Sequence, residues 1–152
     1  EATQLWEGAG YISELSPDGR HALFATSQQD GVWIRVVNIE TSALLPFRIG
    51  VPRDIQRASS GSVGRARWTD GGRSIAFLGA IDNEQGVFTQ AFATSGDTAS
   101  TRRRLAGFDP VWVTESFEIS LDGSVVVLSN VRPGGTVMLA ENVPYVTPPR
   151  AP

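Results

Sequence analysis

One segment is written three times in this chain, and that repeat limits the fold more than any single residue does. The copies read YISELSPDGRHALF, GRARWTDGGRSIAF and SFEISLDGSVVVL, at residues 11–24, 64–77 and 116–128. Aligning three apolar anchors also aligns three glycines, and the periods are then 53 and 51 residues: Leu15 with Gly19, Trp68 with Gly72, and Ile119 with Gly123. A recurring period of this length indicates a repeat protein in which each copy is one supersecondary unit.

Each copy has the pattern of a β meander. A short strand that ends on the anchor is followed by a glycine turn, an apolar strand, a second turn and an alternating strand. The predicted strands are 11–15, 20–26, 32–39 and 44–49, then 64–68, 73–78, 86–93 and 103–106, then 115–119, 125–129 and 135–140. The third copy has no obvious fourth strand, whereas residues 3–6, before the first copy, resemble a spare one. The predicted fold class is therefore all-β, with three sheets of the four-stranded antiparallel type, the last of them incomplete within its own chain.

The pattern also predicts a core at equivalent positions of the three copies. We expect six side chains to be buried: Leu15, Trp68 and Ile119, together with Phe24, Phe77 and Leu128. These residues lie on the first and second strand of each copy, where an apolar residue faces a neighbouring sheet.

The first two turns resemble a known repeat. Ser16-Pro17-Asp18-Gly19-Arg20, and Asp70-Gly71-Gly72-Arg73 after it, are similar to the WD40-like Ser-Pro-Asp-Gly repeat of TolB-type β-propellers. The copies depart from it where Thr69-Asp70 and Ser120-Leu121 replace Ser-Pro. The resemblance implies four-stranded propeller blades and a periplasmic or other extracytoplasmic location. The same repeat occurs in the propellers of prolyl-oligopeptidase-like peptidases and of bacterial kinase-linked sensors.

This interpretation divides the chain into a three-blade propeller segment at 1–143, with repeats at about 11–50, 64–106 and 115–143, and a proline-rich extended tail at 144–152. Three blades do not close a ring, and an isolated trio would expose two apolar faces. Two alternatives remain open: the segment is half of a longer chain, or two copies form a homodimer with a six-bladed ring. The first residue, Glu1 rather than Met, indicates a processed or excised chain.

Composition excludes several classes of protein. The net charge is −3, and the 13 basic residues are all arginine and are scattered apart from the run at 102–104, so no nucleic-acid surface is predicted. We interpret that run as a solvated sheet edge, with a docking patch for an acidic partner as the alternative. No run approaches eighteen apolar residues, so no membrane insertion is predicted. The chain has no cysteine, and we predict no metal and no cofactor.

No credible catalytic set is present in the sequence. The single histidine, His21, is predicted to be an outward strand residue, and Gly61-Ser62-Val63-Gly64 departs from a nucleophile elbow. Asp18 and Asp122 occupy turn positions, where an aspartate accepts hydrogen bonds from the following backbone. We therefore do not predict an enzyme.

Three charged residues occupy one equivalent position beside the anchors: Glu14, Arg67 and Glu118. On the innermost strands of adjacent blades, opposite charges would meet near the axial channel. Two interpretations stay open, namely a structural bridge between blades and a polar channel mouth that contacts a ligand. These three are our candidate binding residues.

The function that the sequence favours is a noncatalytic propeller module that binds or scaffolds a protein or small ligand. The alternatives are the substrate-gating propeller of a prolyl-oligopeptidase-like serine peptidase and the sensor domain of a bacterial kinase. These alternatives rest on the resemblance alone.

Overall fold

The computed structural model describes residues 4–8, 10–52, 65–81, 84–107, 113–131 and 136–140. Within these ranges the chain forms three antiparallel sheets and no α-helix. The strands are β1 Tyr11–Leu15, β2 His21–Gln28, β3 Gly31–Asn38 and β4 Leu44–Pro52; β5 Ala66–Thr69, β6 Ser74–Ile81, β7 Glu84–Ala91 and β8 Arg103–Gly107; and β9 Val113–Ile119, β10 Val126–Val131 and β11 Thr136–Ala140.

Each sheet is a meander, because its strands are neighbours in chain order. The fold class predicted from the repeat is confirmed, and each predicted strand has a counterpart with bounds shifted by no more than three residues. The third sheet has three strands among the described residues. The predicted tail at 144–152 lies outside them.

The core of the protein lies between the faces of the sheets. One buried cluster joins the first two sheets and includes Ile34 and Phe47 from the first and Ile75 and Phe77 from the second. A second cluster joins the other face of the middle sheet to the third sheet. The middle sheet is therefore covered on both faces, as a blade of a repeat protein must be to bury its apolar side chains.

The predicted core is correct at four of its six positions and partly correct at a fifth. Phe24, Phe77, Trp68 and Leu128 are buried, and Ile119 packs partly buried against the second cluster. Leu15 is wrong, because it is 56% exposed whereas Trp68 is 2% exposed. Leu15 lies on the face of the first sheet that has no preceding sheet, so the equivalent position lacks the surface that covers Trp68.

The segment before the first repeat partly covers that open face. Residues 4–8 form no strand, which corrects the expectation of a spare fourth strand at 3–6. Leu5 instead packs against the cluster of Ala22, Phe24 and Val37, and the rings of Trp6 and Phe24 are 5.1 Å apart. The apolar side chains of the segment gain more by covering this face than by pairing along a sheet edge.

The first and third turns are held by the same hydrogen bonds, which explains the repeated serine and aspartate. Ser16 Oγ donates to Asp18 Oδ1 (2.6 Å) and accepts from the His21 backbone N–H (2.9 Å). Ser120 Oγ likewise donates to Asp122 Oδ1 (2.6 Å) and accepts from the backbone N–H five residues later (2.9 Å). The turn interpretation of both aspartates is therefore confirmed.

The middle turn differs because glycine replaces that aspartate. Asp70, Gly71 and Gly72 all have positive φ (55°, 62° and 90°), and Asp70 pairs with Arg73 instead. The turn also contacts a neighbour, since a Cβ on Gly72 would lie 3.3 Å from Pro17 Cδ. Both the backbone conformation and this close approach require glycine at position 72.

The turn at Asp122 provides a measurable prediction about pH. Hydrogen bonds from Ser120 Oγ and the Ser124 backbone lower the pKa of Asp122 from 3.8 to about 2. Because its folded pKa is depressed, its contribution to stability is present above the unfolded pKa and is lost as the pH falls through about 2. NMR titration of the carboxyl carbon should give that midpoint, and Ser120→Ala should raise it. A titration midpoint of Asp122 near 3.8 in the unsubstituted protein would contradict the stabilisation of its carboxylate by these hydrogen bonds.

Candidate binding site at the first strands

The three sheets come together at their first strands. Strand β5 lies against both β1 and β9, while β4 and β8 are outer edges of their sheets. The repeat places Glu14 on β1, Arg67 on β5 and Glu118 on β9. Side chains alternate along a strand, so each of these residues lies on the face opposite its neighbouring anchor.

Arg67 and Glu118 form an ion pair between the second and third sheets. Arg67 Nε lies 2.9 Å from both Glu118 carboxylate oxygens, and Arg67 Nη2 lies 2.5 Å from Oε1. The hydrogen bond raises the pKa of Arg67 and lowers the pKa of Glu118. The Arg67 side chain is 17% exposed and that of Glu118 is 65% exposed, so the pair contributes only about 0.2–1 kcal/mol.

Glu14 forms a different contact between the first and second sheets. Its Oε2 accepts the backbone N–H of Trp68 at 2.6 Å. Partial burial raises the pKa of Glu14, although the bond from Trp68 and the charge of Arg67 oppose this shift. The structure thus brings Arg67 and Glu118 into direct contact, and it ties Glu14 to the backbone beside Arg67.

A polar cleft lies between the first two sheets next to these residues. It has a volume of about 390 Å³ and is lined by Tyr11, Ile12, Ser13, Arg65 and Arg67. Strand β1 has an irregularity in its pairing with β2 between Ile12 and Glu14, which leaves Ser13 out of the register. Sequence reasoning missed Arg65 and Ser13. The alternation of Arg65 with Arg67 was a usable signal, whereas nothing in the sequence indicated the irregularity.

The arginine run at 102–104 is only partly the solvated edge that we expected. Arg103 and Arg104 begin the outermost strand of the second sheet and are exposed, and Arg104 pairs with Glu84. Arg102 corrects the expectation, because it is half-buried and bonds to Gln90. Its guanidinium carbon lies 5.3 Å from the centre of the Phe77 ring. The aliphatic stem of an arginine allows this burial while the guanidinium stays hydrogen-bonded.

His21 also differs from the sequence prediction. Its ring lies 5.3 Å from that of Phe92 and 6.4 Å from that of Trp68, so it faces the second sheet rather than outward. No group of three His, Cys, Asp or Glu side chains among the described residues could hold a metal ion. Within the same residues, no helix has the length and apolar character needed to cross a membrane.

Similar folds occur in solved structures. A structure of a putative TolB from Agrobacterium tumefaciens superposes with a TM-score of 0.57 at 16% identity over 81% of this chain. TolB from Acinetobacter baumannii gives 0.53 at 22% identity over 80% of the chain. The described blades therefore have a known counterpart. This chain has the fold of a TolB-like β-propeller.

A prolyl endopeptidase structure gives a TM-score of 0.55 at 14% identity over 82% of the chain. The chain spans 39%, 26% and 19% of the lengths of these three structures. No family profile matches the sequence, and no curated protein sequence matches it.

Proposed function

We propose that this chain is the three-blade segment, residues 1–143, of a noncatalytic propeller that binds a protein partner at the mouth of its axial channel. The observation that carries the proposal is the grouping of Glu14, Arg67 and Glu118 on the first strands, next to an open polar cleft. Their ion pair contributes little stability, so a structural role alone accounts poorly for charges placed there. Propellers commonly present their binding surfaces at such channel mouths.

Site-specific photo-cross-linking in the producing cell tests this proposal. The full-length protein would carry p-benzoylphenylalanine in place of Tyr11, an aromatic residue at the cleft, or in place of Arg103, an exposed residue on the outer edge. We expect a defined protein adduct from position 11 and none from position 103. Adducts confined to position 103, or none at either position, would contradict the proposal.

A second candidate function is the substrate-gating propeller of a serine peptidase. The prolyl endopeptidase structure favours it, because its fold superposes on this chain about as well as the TolB structures do. The coding sequence around this segment distinguishes the two functions. A nucleophile elbow with histidine and aspartate partners would favour the peptidase, and a kinase domain would favour the sensor interpretation.

We also propose that two copies of the isolated segment associate as a homodimer that completes a six-bladed ring. Its support is the pair of open faces: Ile12 and Leu15 are exposed on the first sheet, and Val127 is exposed on the third. A two-fold arrangement covers both faces with one type of contact. Sedimentation should give a dimer that Val127→Glu dissociates, while Thr41→Glu, in an exposed turn, leaves it intact. A folded monomer would instead favour a longer chain that supplies the missing blades.

A further inference from the structure

The cleft between the first two sheets contains a half-buried arginine, Arg65. Arg65 has no ion pair with any residue that the structure describes, although it is half-buried. Its positive charge opposes the rise that burial causes in the pKa of Tyr11, and it helps to lower the pKa of Glu118. A carboxylate in the cleft would give Arg65 the direct ion pair that it lacks among the described residues.

The other charges around the cleft are already engaged. Arg67 pairs with Glu118, and its Nη1 donates to the Ala66 carbonyl oxygen at 3.1 Å. Glu14, beside Ser13 in the chain, binds the Trp68 N–H. The net charge of Glu14, Arg65, Arg67 and Glu118 is zero. Among the described residues, however, Arg65 has no carboxylate in direct contact with its planar fork of donors, whereas Arg67 has one. A ligand carboxylate would complete the ion pair that Arg65 lacks.

Ser13 is an independent sign of a missing ligand group. Its Oγ is hidden from solvent and has no hydrogen-bond partner among the described residues, even though Ser13 belongs to the lining of the cleft. A buried hydroxyl without a partner costs about 1–3 kcal/mol, so such groups usually have one. Because Ser13 itself lines the cleft, rotation about its χ1 angle would turn this hydroxyl toward a ligand oxygen that accepts its hydrogen bond.

The wall of the cleft suits a peptide rather than a free ion. Ile12 is 65% exposed and Tyr11 is 44% exposed, so an apolar surface adjoins the two arginines. The volume of about 390 Å³ is larger than a carboxylate group needs and can hold a side chain with its stem.

We propose that this cleft binds an acidic residue of the protein partner, with Arg65 pairing its carboxylate and Ser13 Oγ donating to it. The inference rests on the proposed channel-mouth function and names the chemistry that the partner presents. The carboxylate could belong to a glutamate or aspartate side chain or to a chain terminus, because both present the same two oxygens.

An NMR titration tests the inference on the whole chain. The probe is the blocked peptide Ac-Ala-Glu-Ala-NH2, its neutral control is Ac-Ala-Gln-Ala-NH2, and Ac-Ala-Ala-Ala with a free carboxyl terminus tests the other source of the carboxylate. We expect saturable shifts of the Ser13 and Arg65 amides with the glutamate peptide, and about tenfold weaker binding of the glutamine peptide, a loss of about 1.4 kcal/mol. If the terminal carboxylate binds more tightly, the partner presents a chain end.

Two variants separate the site from general charge attraction. Arg65→Gln should weaken the glutamate peptide about tenfold, whereas Arg20→Gln, which removes an exposed arginine from the first turn, should leave binding unchanged. Equal binding of the glutamate and glutamine peptides, equal effects of the two variants, or no saturable shift would each overturn the inference. If one of these outcomes were found together with a protein adduct at position 11, the acidic ligand would be rejected. The proposed binding of a protein at the channel mouth would still stand.

Discussion

Trp68→Ala should lower the free energy of unfolding by about 3–5 kcal/mol. Trp68 is 2% exposed and packs between the first two sheets, with its ring 4.9 Å from that of Phe92 in an edge-to-face arrangement. Removing the indole leaves a cavity that facing strands cannot fill without breaking their hydrogen bonds. Urea unfolding followed by far-ultraviolet circular dichroism measures the change without relying on tryptophan fluorescence.

Leu15→Ala is the matched control, because Leu15 occupies the same position of the first repeat but is 56% exposed. In the monomeric Val127→Glu background, where the open face of the first sheet stays uncovered, we expect it to change stability by no more than about 0.5 kcal/mol. Trp68→Phe is a second test of the same packing, for use if Trp68→Ala does not fold. It keeps an aromatic ring and removes a buried indole N–H that has no hydrogen-bond partner among the described residues, so it should cost much less than alanine. A loss below about 1 kcal/mol for Trp68→Ala would contradict the packing described here.

The contrast between Trp68 and Leu15 also shows what the repeat could predict. Periodicity and glycine turns determine strands and their order locally, so the three meanders could be predicted from the sequence. Burial depends on whether another sheet covers the face, and the sequence of one copy does not contain that information. Leu15 and Trp68 therefore look equivalent in the sequence and differ in the structure.

The positions of the charged residues in the candidate site could also be predicted from the repeat, but not all of their contacts. The equivalent positions of Glu14, Arg67 and Glu118 follow from the repeat, and so does a contact between opposite charges on adjacent first strands. The repeat does not show which glutamate pairs with Arg67. In the structure Arg67 pairs with Glu118, whereas Glu14 accepts the Trp68 backbone N–H, and this difference depends on side-chain geometry. The irregular pairing around Ser13, which lines the cleft, lies at a position where the other two first strands pair regularly, so the repeat does not predict it.

A buried polar group in the second sheet also escaped sequence reasoning. Gln90 is 0% exposed on β7, where the alternating pattern predicts only a core-facing residue. Its Nε2 donates to Thr98 Oγ1 at 3.0 Å, and its Oε1 accepts from Arg102 Nε at 3.0 Å and from Arg102 Nη2 at 2.8 Å. The amide thus joins the strand to the segment that leads into β8. Arg102, which the sequence analysis placed on a solvated sheet edge, belongs to this hydrogen-bond network.

Gln90→Ala should destabilise the protein by about 2–3 kcal/mol, because the half-buried guanidinium of Arg102 loses the acceptor of two hydrogen bonds, whereas Thr98 Oγ1 keeps its bond to the Ala91 carbonyl oxygen. Gln85→Ala on the same strand is the control, since Gln85 makes no side-chain hydrogen bond with the described residues, and it should cost little. Gln90→Glu should recover part of the loss, because its carboxylate can still accept both bonds from Arg102. Urea unfolding of the three variants checks this order. Equal costs for the alanine variants at 85 and 90 would show that the Arg102 network does not hold β8 to its sheet.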